Sequence, residues 1–297
     1  MINIWCYWSQ GIDNIPIFPK KCLENWKRFL THNYKINIID EKSFLKMQTD
    51  IDLDFLVSLT NQQQSDIVRL YLLYNYGGIW IDITSLLTDD LSWVIDKFKE
   101  GYEQVGFSVY YPFHKRDINL QENWFIAIKN SYNYMIKCWY DIFIKILRES
   151  KHNGGIKNSP IWKQTNKESI PYFMREYLSM HVAQLWCIQN NNKYKKLYDN
   201  KVYLYSGNVT ASINPYLNIK SIIYGIGYNT NFPLIKFTKV DRNLLKYLCS
   251  NRLKHIIQDN FGSSYQIKTL FIYDIILYII ISIIIIFFIK LNINSIT

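Results

Sequence analysis

The pair Gly77-Gly78 constrains this chain most, because a helical pattern stops at it and a strand pattern starts directly after it. Over 62–76 the apolar side chains recur at helical spacing, and a glycine pair is a strong stop for such a run. Over 79–84, Ile79, Ile81 and Ile83 fall on one face of a strand and Trp80, Asp82 and Thr84 on the other. The N-terminal segment has the same grammar. Ile2, Ile4 and Cys6 alternate with Asn3, Trp5 and Tyr7 over 2–8. Over 19–30, Cys22, Leu23, Trp26, Phe29 and Leu30 follow helical spacing, with Pro19 suited to a first turn. A second strand covers 34–40. This β-α-β order predicts parallel strands joined by a right-handed crossover, and alternating strands and helices predict an α/β fold. In such sheets ligands bind at the carboxyl ends of strands, which directs attention to Trp8, Asp40 and Asp82.

Further along, the pattern predicts a helix from Asp89-Asp90 toward Phe98, a strand over 104–109 and a largely helical stretch over 122–149. A polar loop or insertion follows over 151–171, with Gly154-Gly155 and Pro160. Then come a helix over 172–189, a short strand over 202–205 and an amphipathic segment over 241–259. The stretch 270–289 carries one charge, Asp274, and 275–289 carries none. Twenty helical residues span about 30 Å, the thickness of a bilayer core. An Ile-rich run apolar on every face argues against a buried core helix. The expected organisation is a domain over 1–265, a transmembrane helix over 270–289 and a short tail over 290–297. The opening Met1-Ile2-Asn3-Ile4-Trp5 has no basic leader region, so the domain is expected on the cytoplasmic side of a single-pass C-terminal anchor.

The net charge of +10 comes from lysines spread along the chain rather than from a basic patch. There is no zinc-finger spacing, no basic heptad region and no RNP-like motif, so the charge reads as a solvated surface and no nucleic-acid partner is expected. The five cysteines, Cys6, Cys22, Cys138, Cys187 and Cys249, are widely spaced and read as buried thiols. No G-x-S-x-G, Walker A or G-x-G-x-x-G sequence is present, which removes those hydrolase and nucleotide-loop classes.

The residues with chemistry cluster around the glycine pair. Asp66 and Arg69 are spaced i, i+3 and share a helix face with Leu70 and Leu73, so both charges turn toward the interior. A pair so placed is either a structural ion pair or a ligand-facing one. Asp82 lies in an Ile-rich strand and needs a partner or a strand end. It could cap a turn, or, with Thr84, offer hard oxygens to a divalent cation and a diphosphate.

The run Ser65-Asp66-x-x-Arg69, Leu73, Gly77-Gly78 and Asp82-x-Thr84 resembles the signature of the sugar-binding-region glycosyltransferases with a DxD motif, related to initiating mannosyltransferases and clostridial toxin glycosyltransferases. Within that group the chain is most similar to the capsular polysaccharide synthesis branch. The opening Ile4-Trp5-x-Tyr7-Trp8-x-Gln10-Gly11, then Pro16, Cys22 and Trp26, and the later Asn123-Trp124-Phe125-Ile126-Ala127 carry that likeness, over about residues 2–240. The resemblance implies a GT-A-type (Rossmann-like) domain that transfers a hexose from a nucleotide-sugar donor to a glycan or lipid-linked acceptor, with retention of configuration, in surface polysaccharide synthesis. It implies that Trp8 stacks on the base, that Asp66 and Arg69 contact the donor sugar and its phosphate side, and that Gly78, Asp82, Thr84 and Asn123 line the donor site. Asp82 and Asp66 would be the catalytic carboxylates, and Asp82 would hold Mn²⁺ or Mg²⁺.

One departure matters. The family pattern is Asp-x-Asp, and this chain has Thr84 at the second position, a weaker and neutral ligand. His181 could supply a further ligand or be an ordinary helix histidine. Two other readings share the same donor site: a transferase that modifies a protein, and a membrane-bound nucleotide-sugar-binding protein without turnover.

Overall fold

Strand β1 (Ile2–Tyr7) is paired on both sides, and the sheet grows outward from it. The computed structural model describes residues 1–47, 50–109, 118–207, 233–237 and 259. The chain divides into two units, Met1–Thr210 with Phe232–Lys236, and Ala211–Asn231 with Phe237–Thr297; nearly all described residues lie in the first, which is the one described below.

Helix α1 (Ile17–Phe29) joins β1 to β2 (Tyr34–Ile39), and the two strands run parallel in register from Ile2↔Tyr34 to Tyr7↔Ile39. Short helices α2 (Glu41–Leu45) and α3 (Leu53–Val57) start on the carboxylate caps Asp40 and Asp52. Helix α4 (Asn61–Tyr76) leads to β3 (Gly78–Ile81), parallel to β1. Then follow β4 (Ser85–Leu87), α5 (Ser92–Lys99), β5 (Gln104–Ser108), β6 (Gln121–Ile128) and α6 (Tyr134–His152). Helices α7 (Pro160–Gln164), α8 (Ser179–Asn190) and α9 (Asn192–Lys201) precede β7 (Val202–Tyr205) and β8 (Leu234–Lys236). The main sheet has the order β2-β1-β3-β6-β5-β7, in which only β6 runs antiparallel to its neighbours; β4 and β8 form a separate antiparallel pair. This is the expected α/β architecture with a mostly parallel central sheet.

Period-two alternation sorts the core into layers. Trp5 and Tyr7 of β1 and Trp80 of β3 join the cluster made with α4, α6 and α8. Ile4, Cys6, Ile79 and Ile81 join the cluster made with α1 and α5. The sheet is therefore buried on both faces, as a parallel sheet with helical crossovers must be. Cys6, Cys22 and Cys187 are buried and Cys138 is half-buried; Cys249 lies outside the described residues.

Several expectations need correction. The stretch 122–149 is not largely helical: its first part is β6, wedged between β3 and β5, and the helix starts only after the Asn133 cap. A short apolar run such as Trp124–Ile128 reads equally well at either period, and here pairing on both edges decides it. The strand expected over 79–84 ends at Ile81, although the Asp82 N–H continues the ladder to Trp124 O at 2.9 Å. The loop 151–171 contains α7, started by Ser159 with Pro160 in its first turn. The helix expected over 172–189 begins at Ser179, after a single 3₁₀ turn at Tyr172–Met174. The segments 241–258 and 270–289 lie outside the described residues, and among the described residues no helix is long and apolar enough to cross a membrane.

The glycine stop works as the sequence suggests. Gly77 (φ +62°) ends α4, and its carbonyl accepts the Trp5 indole N–H at 2.8 Å. Gly78 (φ +90°) lets β3 close on β1: a Cβ there would stand 2.4 Å from the Asn3 carbonyl oxygen. Gly101 has a similar φ of +99° but open space around it. Gly101→Ala should cost about 1 kcal/mol for its backbone conformation alone, and Gly78→Ala more than about 3 kcal/mol because backbone must also move. Urea unfolding of the two variants checks this; equal losses would show that the contact with Asn3 is not limiting.

Candidate active site

Helix α4 begins on a Thr60–Gln63 capping box and then runs buried from Asp66 to Leu73. A charge on this stretch has no route to water. Asp66 is 1% and Arg69 3% exposed, so each depends on partners inside the protein.

Those partners come from α4 itself, from β6 and from the end of β3. One guanidinium nitrogen of Arg69, Nη1, donates to Asp66 Oδ1, and Nη2 donates to Asp82 Oδ1 at 3.0 Å. The guanidinium lies 4.7 Å from the Trp80 ring centroid, and the Trp80 Nε1–H also donates to Asp82 Oδ1 at 3.0 Å. From β6, Asn123 Nδ2 donates to Asp66 Oδ1 at 3.1 Å. From β8, Lys236 Nζ donates to Asp82 Oδ2 at 2.6 Å and to Thr84 Oγ1 at 3.1 Å. Two carboxylates and two cations thus share one locus at the carboxyl end of β3.

The carboxylates are treated differently. Burial drives the Asp66 carboxyl up to about 6; Arg69 opposes this and the neighbouring Asp82 charge adds to it. Its Oδ1 accepts from Arg69 and Asn123, whereas its buried Oδ2 has no hydrogen-bond partner among the described residues. For Asp82, burial also favours the neutral form, but Lys236 first and Arg69 second outweigh it and hold the carboxyl below its ordinary value. The Asp82 side chain keeps 27% of its exposure and is the open member of the pair. His181, 1% exposed, is pushed down to about 3 by burial and then by Arg69, so its imidazole is neutral. Neither of its ring nitrogens has a hydrogen-bond partner among the described residues, and Glu122 Oε2 stands 3.9 Å from its Nε2.

The structure brings together Asp66, Arg69, Asp82, Thr84 and Asn123 as one network. Trp8 follows the end of β1, its N–H bonded to Ile39 O at 2.9 Å. It packs against the α1-side cluster, and no hydrogen bond joins it to the network. Gly78 stands at the start of β3, the end opposite Asp82, where close packing on Asn3 accounts for it. Lys236 is the member of the network that sequence reasoning missed. Its available signal was a lysine inside the apolar run Leu234-Ile235-Lys236-Phe237; it is 8% exposed.

The donor set does not fit a directly bound divalent cation. Both Asp82 oxygens already accept from cationic or indole donors, and Thr84 Oγ1 accepts from Lys236. No group of three or more His, Cys, Asp or Glu side chains suited to a metal occurs among the described residues.

A family model described as capsular polysaccharide synthesis protein matches residues 1–271. The O-glycosyltransferase braB of Annulohypoxylon truncatum is 30% identical over 175 residues, 54% of this chain and 41% of that protein. The glycosyltransferase afumC of Aspergillus fumigatus is 25% identical over 210 residues, 63% of this chain and 53% of that protein. The chain spans about half the length of the curated relatives it matches. Among solved structures, the PaToxG glycosyltransferase superposes with a TM-score of 0.39 at 17% identity, covering 69% of this chain and 87% of that one.

The Asp66 environment makes a stability prediction. A carboxyl whose folded value is raised binds its proton more tightly in the folded state, so stability falls as pH rises from 3.8 through about 6 and stays low above that. The neutral isostere Asp66→Asn removes this titration. Whatever its stability at low pH, the variant should lose less stability than the parent between pH 3.5 and pH 7.5, by on the order of 2–3 kcal/mol. Urea unfolding at the two pH values measures it; an equal loss in parent and variant would contradict the assigned burial.

Proposed function

This chain belongs to the capsular polysaccharide synthesis protein family, and on that premise we propose that it is a glycosyltransferase whose donor site is the network at the carboxyl end of β3. The proposed reaction moves a hexose from a nucleoside-diphosphate sugar to a hydroxyl of a glycan or lipid-linked acceptor, on a GT-A-type domain, in surface polysaccharide synthesis. The observation that carries the reading is Asp66: a buried carboxylate with one oxygen locked by Arg69 and Asn123 and the other without a hydrogen-bond partner among the described residues. A sugar hydroxyl donating to Oδ2 would complete it. The names of the curated relatives, O-glycosyltransferase and glycosyltransferase, support the same chemistry.

In the proposed mechanism the bond between the anomeric carbon and the diphosphate oxygen breaks, and its electron pair leaves with the diphosphate. The acceptor hydroxyl oxygen bonds to the anomeric carbon from the same face, and its proton passes to the departing diphosphate, which gives retention. Arg69 and Lys236 stabilise the charge that develops on the leaving group. The Asp66 carboxylate orients the sugar and favours positive character at the anomeric carbon. Asp82 holds both cations in place, and Trp8, half-buried after β1, offers a ring to the base. The apolar composition of 270–289 is what favours a membrane tether, which would bring the domain close to a lipid-linked acceptor.

A panel of nucleotide sugars, followed by chromatography of the released nucleoside diphosphate, tests the proposal. At least one donor should be turned over by the full chain, and Asp82→Asn should lower that rate by about 100-fold or more. Undiminished turnover in Asp82→Asn would remove the site assignment. The rate should also rise with pH through about 6 as Asp66 ionises, and this rise should be absent from whatever activity Asp66→Asn retains.

A further inference from the structure

We propose that Lys236 does the work of a divalent cation at this site, so that the donor diphosphate is bound and neutralised without a metal. This inference rests on the proposed transferase function. Two observations point to it. The position where a second carboxylate would help hold an ion is Thr84, and its hydroxyl accepts from Lys236 at 3.1 Å. The partly exposed carboxylate that would hold the ion, Asp82, accepts from Lys236 at 2.6 Å on one oxygen and from Arg69 and Trp80 on the other. A dication at Asp82 would therefore have to displace an ammonium or a guanidinium and then stand beside both, against Coulomb repulsion in a site largely closed to water.

The lysine is also positioned as a built element of the site. Its strand, β8, pairs with β4 in the register Ser85↔Lys236, directly after the Asp82–Thr84 turn. The Thr88 N–H bonds the Pro233 carbonyl at 2.9 Å and fixes the other end of that pairing. The side chain is 10% exposed, and its Nζ lies 6.0 Å from the Trp124 ring centroid. An ammonium has three N–H donors, and Asp82 and Thr84 take two of them. The third is left for a phosphate oxygen, with Arg69 as the second cation of the pocket. A metal ion would bridge two phosphate oxygens as a point charge; a fixed ammonium beside a guanidinium supplies the same sign of charge from covalently held groups.

Calorimetry of UDP and GDP binding to the full chain tests this, with excess EDTA and then with Mn²⁺ or Mg²⁺, alongside donor turnover under the same conditions. One of the two nucleotides should bind in EDTA with an affinity within about threefold of that in metal, because the positive charge is already present in the protein. Lys236→Met should weaken binding in EDTA by about tenfold or more, the worth of one charge-assisted hydrogen bond, and Lys236→Arg should restore part of it. If Lys236→Met does not fold, Thr84→Asp serves instead: the new carboxylate engages Lys236, so binding in EDTA should fall and Mn²⁺ should restore it. Binding and turnover that appear only with Mn²⁺ or Mg²⁺ would overturn the metal-free inference and leave the transferase function standing. Absence of nucleotide binding and of turnover under every condition would overturn both.

Discussion

Arg69 is the residue around which the site is organised. Its guanidinium is 3% exposed in the middle of α4, and a buried charge without partners would cost several kcal/mol. It faces Asp66 on its own helix with one nitrogen and Asp82 beyond β3 with another, over the Trp80 ring. Those contacts fix the rotation of α4 against the sheet and the path of the chain as it leaves β3. Asn123 brings β6 to the same point through Asp66, and Lys236 brings β8 through Asp82. Moving any one of these elements would leave a buried charge or amide unsatisfied, so the network acts as a clamp on helix, sheet and the β4–β8 pair together.

Within that clamp the two carboxylates have different characters. Asp66 is fully enclosed, and burial lifts it to about 6; Asp82 is partly open, and Lys236 and Arg69 hold it low. Environments that push two nearby carboxyls apart are a common sign that they do different jobs. The open one, saturated by cations, organises positive charge at the mouth of the site. The enclosed one keeps a bare oxygen where a hydroxyl could donate, at a cost in stability that the rest of the fold carries. His181, neutral and buried, belongs to the same enclosed region through the field of Arg69.

Much of this was legible in the sequence because it depends on local spacing. The i, i+3 relation of Asp66 and Arg69 placed both on the buried face of a helix, and the parity of Asp82 with Trp80 placed it on the face that α4 covers. The glycine stop and the parallel pairing of β1 and β2 followed from turn chemistry and from β-α-β order. What was not legible depends on pairing between distant segments. The Trp124–Ile128 run has no period of its own, and only its two neighbours in the sheet make it a strand. Gly78 sits in the same motif as Asp82, but chain direction puts it at the other end of the strand, where its lack of a side chain serves packing. Lys236 is 154 residues from Asp82, and no spacing rule reaches that far.

The departure at Thr84 and the lysine that follows 152 residues later are therefore one feature seen from two places. A carboxylate at 84 would form a second ion pair with Lys236 and tie up its remaining N–H. A threonine offers a neutral acceptor that orients the ammonium while leaving its charge largely available. Read alone, Thr84 looks like the loss of a metal ligand. With β8 laid along β4, the same position becomes the condition under which a lysine can face an anionic ligand from inside a buried network.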